Sequence, residues 1–79
     1  MVEEENILKE LYLYEIEQSK GYITLNKQWI STLNGFRETY QNNWQIIEVC
    51  RELISYHTKE MQKETEEIGN LRKTINQLG

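Results

Sequence analysis

FRETYQNNWQIIEVCRELISYHTKEMQKETEEIGNLRKTINQL, residues 36–78, decides the fold of this chain. Ile47, Ile54, Met61, Ile68 and Ile75 recur every seven residues, and Leu33 and Tyr40 extend the series backwards. Three residues after each member stand Phe36, Asn43, Cys50, His57, Glu64, Leu71 and Leu78. This is the a/d rhythm of a coiled coil, apolar throughout at a and polar in the middle at d. It predicts a long helix that needs a partner surface.

Outward from that stretch, the N-terminal part reads as a second helix. Leu8, Tyr12, Ile16, Ile23, Ile30 and Leu33 fall on one broad face, with Leu11, Tyr22 and Trp29 beside it. Ile7, Leu13 and Tyr14 make the first turns apolar on more than one side, which predicts contact with two surfaces. Glu3, Glu4 and Glu5 suit the positive end of a helix dipole. Gly21 allows either a kink or break at 20–25 or a helix that runs through it at a cost of about 1 kcal/mol. Asn34-Gly35 is the strongest turn signal, because both residues tolerate positive φ.

The expected architecture is therefore a single all-α domain, an elongated antiparallel helical hairpin. Helix one spans about 3–33, the turn is Asn34-Gly35, and a coiled-coil-like helix two spans about 36–78. The two lengths are unequal, roughly 45 Å against roughly 64 Å. On this reading the chain overhangs from Ile68 onward, and Ile68, Leu71, Ile75 and Leu78 form a seam that another chain must bury. The expected assembly is oligomeric, a four-helix bundle. Trp29, Tyr40, Trp44, Ile54 and Met61 join those four residues as the expected partner interface. Trp29, Phe36, Tyr40 and Trp44 also admit an aromatic plug at the hairpin end.

Composition narrows the function. The chain has 79 residues, one cysteine, no proline and no aspartate. So short a chain builds a marginal core by itself. One cysteine forms no internal disulfide and fits no common zinc spacing, which points to a reducing cytosol. The expected setting is the cytoplasm of a bacterium or of a phage-infected host, with export without a cleaved signal as the other route. There is no membrane-length apolar run. Net charge is −4, and residues 1–20 carry all of it, six Glu against two Lys. No basic stripe marks a nucleic-acid ligand.

No cofactor fingerprint, phosphate loop or nucleophile elbow appears, so an enzyme is not expected. His57 lies seven residues from both Cys50 and Glu64, about 10.5 Å along a helix axis, too far for one ion. His57 and Glu64 read instead as polar seam residues that set register. Cys50 reads as a small buried apolar group.

Leu33-Asn34-Gly35, the aromatics Phe36, Tyr40 and Trp44 after it, and Tyr56 with Glu60 four residues on resemble the WXG family of small helical hairpins that accompany type VII secretion substrates. That family has a W-x-G turn, where this chain has leucine for tryptophan, and a late Y-x-x-x-D/E signal. The resemblance implies dimerisation as a four-helix bundle and a role as partner of a larger secreted protein. From the residues alone, the chain reads as a non-enzymatic protein-interaction module, an adaptor that assembles with itself or with a larger protein. The alternative is a small phage or mobile-element regulator that docks on a host protein and blocks it.

Overall fold

A computed structural model describes residues 2–78. Two helices account for nearly all of them: α1, Val2–Thr39, and α2, Trp44–Leu78. They pack antiparallel as a hairpin with principal extents of 63 × 14 × 11 Å. The expected all-α elongated hairpin is therefore the observed one.

The reversal is not at Asn34-Gly35. Both residues lie inside α1, and neither they nor any other described residue takes positive φ. Tolerance of a turn conformation is an option, not an instruction. Here the rows of apolar residues before and after Gly35 make the helix worth continuing, and the cost of a helical glycine is only about 1 kcal/mol. For the same reason α1 shows no break at Gly21.

The chain turns instead at Tyr40–Asn43. Tyr40 N–H donates to Phe36 O at 2.9 Å and closes α1. Asn43 N–H then donates to Tyr40 O at 2.8 Å, a tight turn. Asn43 caps α2: its Oδ1 accepts from Ile46 N–H at 3.2 Å, and its carbonyl accepts from Ile47 N–H at 3.1 Å. A capping asparagine satisfies amides that have no partner within the helix.

This shift of the turn removes the overhang. At 1.5 Å per residue, α1 is about 57 Å long and α2 about 52 Å, so the two nearly match. Ile68 is buried at 7% exposure, level with Ile16 at 3%. Leu71, Ile75 and Leu78 are half-buried on the same side of α2. The C-terminal seam is covered by α1 of its own chain.

Burial follows heptad spacing in both helices. In α1 the covered positions include Lys9, Tyr12, Ile16, Ser19, Tyr22, Ile23, Asn26, Ile30 and Leu33. In α2 they include Ile47, Cys50, Ile54, His57, Met61, Glu64, Ile68, Leu71, Ile75 and Leu78. The seam of α1 thus pairs Leu33 with Ile30, not with Phe36, which is 49% exposed. Among the described residues, only Ile16, Cys50 and Ile68 are buried apolar side chains. Each contributes about 1.5–3 kcal/mol. That is a small core for so many ordered residues, each of which loses about 1–2 kcal/mol of backbone entropy.

Candidate interaction surface

At the middle of the seam sits a polar layer. Asn26 is completely buried. Its Nδ2 donates to Tyr22 O at 2.8 Å, which fixes the amide orientation. Its Oδ1 therefore faces His57 Nδ1, 2.8 Å away, so that nitrogen carries the proton and donates. The Trp29 ring lies over the His57 ring, with centroids 4.9 Å apart, and Tyr56 meets its edge at 5.2 Å. Beside this layer Tyr22 Oη–H donates to Glu60 Oε2 at 3.4 Å. Desolvation between the helices raises the Tyr22 phenol above its ordinary value of 10.0, Asn26 opposes the shift, and the Glu60 carboxylate adds to it. Buried polar pairs of this kind fix the register of two helices, because a slipped pairing strands their hydrogen bonds.

Asn26 was not singled out from the sequence. Its only signal is position: an asparagine on the apolar face of α1, as far before the turn as His57 is beyond it. Without the turn's location, that match is not visible.

The layer does not assemble a metal site. Among the described residues no three His, Cys, Asp or Glu side chains come together. Cys50 and Glu64 sit a heptad either side of His57, facing α1 at different levels. The surface depressions are furrows walled by neighbours on one stretch of chain, such as Thr58, Met61, Gln62, Thr65 and Glu66 on α2. No helix is long and apolar enough to cross a membrane.

The outside of the hairpin is where its unusual chemistry lies. Among the described residues, thirteen large apolar side chains are exposed, against three apolar residues buried. Many of them share one flank. In α1, Leu8 and Trp29 each stand one position before a seam position, with half-buried Tyr22 and exposed Phe36 in the same seven-residue series, while Leu11 and Leu25 fill the next position on that flank. In α2, half-buried Ile46 with Val49, Leu53 and Tyr56 forms the matching flank. The Tyr22–Glu60 bond and the Trp29–His57–Tyr56 cluster place both flanks on one side of the hairpin. The other side is mostly polar, with exposed Leu13 a heptad before Lys20 on it. It carries Lys20 paired to Glu17 at 3.2 Å and Arg51 paired to Glu48 at 3.4 Å, both exposed. Such pairs are worth about 0–1 kcal/mol and serve mainly to solvate a face.

The residues expected at a partner interface divide accordingly. Ile54, Met61, Ile68, Leu71, Ile75 and Leu78 are half-buried or buried inside the hairpin, facing α1. For Ile68, Leu71, Ile75 and Leu78, the expected overhang followed from placing the turn at Asn34-Gly35. Trp29, Tyr40 and Trp44 are exposed, at 43%, 45% and 72%. They do not form a plug: Phe36 stacks on Tyr40, with centroids 6.2 Å apart, while Trp29 packs on His57. Leu33-Asn34-Gly35, the expected W-x-G equivalent, is helical, and Tyr56 and Glu60 both lie within α2.

No family model matches this chain, and no curated protein or solved structure is significantly similar to it.

Proposed function

We propose that this chain is a non-enzymatic protein-interaction module, an adaptor that works by packing its helices against another polypeptide. The observation that carries this reading is the inversion of the usual balance: among the described residues, thirteen large apolar side chains are exposed and three apolar residues buried. Contiguous exposed apolar surface on a small chain marks a binding surface. The shape agrees, since 63 × 14 × 11 Å offers long flat faces, and depressions such as those at Asn34–Gln41 and Thr58–Glu66 are open furrows on single stretches of chain. A secretion partner of a larger protein is one form of this role, supported by the hairpin shape and the Tyr56…Glu60 pattern.

A second reading rests on the N-terminal half of α1. Ile7, Leu8, Leu11, Leu13 and Tyr14 are exposed there among Glu4, Glu5, Glu10, Glu15 and Glu17. An apolar surface ringed by carboxylates suits a basic protein surface, with electrostatic attraction speeding the encounter. A small regulator that blocks a host protein uses such a face.

The test is purification of the full chain with whatever binds it in the cells that encode it. The adaptor reading expects one defined larger protein at fixed stoichiometry, lost on Leu11→Glu with helicity unchanged. A phage-type regulator expects a host enzyme or defence protein whose activity falls on binding. Turnover of a small molecule by the purified chain, or a stoichiometric metal lost on His57→Ala, would overturn both.

A further inference from the structure

The two flanks differ along their length. Near the turn, the flank positions 25, 29, 32, 36 and 39 of α1 and 46, 49, 53 and 56 of α2 hold no charged residue. Toward the open end, the flank of α2 becomes Glu60, Lys63, Glu67 and Asn70. The flank of α1 keeps Leu8 and Leu11 there, but Glu15 and Gln18 separate them from the rest, so the uninterrupted uncharged patch is the turn-proximal one: Leu25, Trp29, Phe36, Val49, Leu53 and Tyr56, each 42–54% exposed.

We propose that this patch closes on a second copy of the chain, the hairpins lying antiparallel with a two-fold axis at the level of Trp29 and Leu53. This rests on the reading that the chain works by helix packing, and names the polypeptide packed at this face. Three observations select a second copy. First, the area is right. The six side chains leave on the order of 600 Å² exposed, so two copies hide about 1,200 Å², the lower edge of a standard specific interface. The whole chain exposes 6310 Å², whereas a globular chain of this length exposes roughly 5,100 Å². Second, a two-fold interface is self-complementary, and an uncharged apolar patch is its own complement. A basic or acidic partner finds no counter-charge within it. Third, the net charge selects the antiparallel sense. All −4 of it lies in residues 1–20 at the open end. A parallel pairing lays two such segments side by side; the antiparallel one holds the two Leu8 residues ~60 Å apart. The mostly polar faces of both hairpins, with Lys20, Lys27, Arg51 and Arg72, remain outside.

The experiment uses the full chain. Sedimentation equilibrium across micromolar concentrations should show a monomer–dimer equilibrium. Leu53→Glu should weaken it at least about tenfold, as expected for a charge at the centre of an interface, with helicity by circular dichroism retained. Should Leu53→Glu lose helicity, Leu25→Gln at the patch edge gives the same readout under milder change. In a Cys50→Ala background, oxidation should cross-link Leu53→Cys into dimers and leave Leu8→Cys monomeric. A parent chain that stays monomeric, a dimer indifferent to both patch variants, or cross-linking through Leu8→Cys each overturns the proposal. A monomeric parent that still loses its larger partner on Leu53→Glu would sink self-pairing alone and leave the adaptor reading standing. A dimer with no larger partner would do the reverse.

Discussion

The two halves of the hairpin use the same heptad seam and present opposite exteriors. The open half holds Ile16 and Ile68, two of the three buried apolar residues, and carries the whole net charge outside. The turn half holds only Cys50 among the buried apolar residues, yet it shows an uncharged apolar patch across both helices. Between them lies the Asn26–His57 layer. The comparison teaches that one stripe of residues decides that two helices pair, and a neighbouring stripe decides what else they meet. The open half sets its exposed Ile7, Leu8, Leu11, Leu13 and Tyr14 among glutamates; the turn half leaves an uncharged apolar surface still to bury.

The sharpest way to break this picture is Ile68→Glu. Because Ile68 is buried against α1, a charge there should cost more than 3 kcal/mol and strip most of the helix signal in circular dichroism. A hairpin that stays helical and merely fails to bind would return Ile68 to the outside. Next in size is Asn26→Ala at the boundary of the halves. It leaves the His57 donor without its acceptor and should cost about 1–3 kcal/mol in urea unfolding. Replacing Asn26 and His57 together with leucine should instead raise the melting temperature while permitting slipped pairings, seen as doubled amide resonances.

Gly35→Ala has the opposite sign. A methyl group there meets nothing within 4 Å and α1 is helical through it, so the variant should be stabilised by about 0.5–1 kcal/mol. That corresponds to a rise of several degrees in Tm for a chain of this size. A loss of stability would restore the turn to Asn34-Gly35. The smallest effect concerns Tyr22. Its phenol is raised in the folded chain, so its contribution is present below the unfolded value near 10 and lost as pH rises through the folded one. Tyr22→Phe should therefore lower stability slightly at neutral pH, where the contribution and the Glu60 hydrogen bond are present, and flatten the alkaline limb of the stability curve.

Much of the fold was legible from residues alone. The heptads at Ile47, Ile54, Met61, Ile68 and Ile75 give a helix, and those at Ile16, Ile23 and Ile30 give its mate. The turn was not legible, for a definite reason. Leu33 belongs to α1, Tyr40 opens the turn and Ile47 belongs to α2, yet all three keep the seven-residue interval, because the tight turn at Tyr40–Asn43 preserves the spacing. The rhythm runs through the reversal and hides it, while Asn34-Gly35 offers a louder but unused signal. The capping role of Asn43 was masked by its place in the same series.

By itself, then, the sequence determined two amphipathic helices, their seams, the acidic N-terminal segment and the lack of a membrane-length apolar run. Those properties are local, set by spacing and side-chain chemistry. Only the tertiary structure decided where the chain reverses, and with it that Ile68–Leu78 lies under α1, that Asn26 meets His57, and that Trp29, Phe36, Leu53 and Tyr56 are left outside. Each of these depends on which residues stand level across the hairpin, and moving the turn by a few residues changes every such pairing at once.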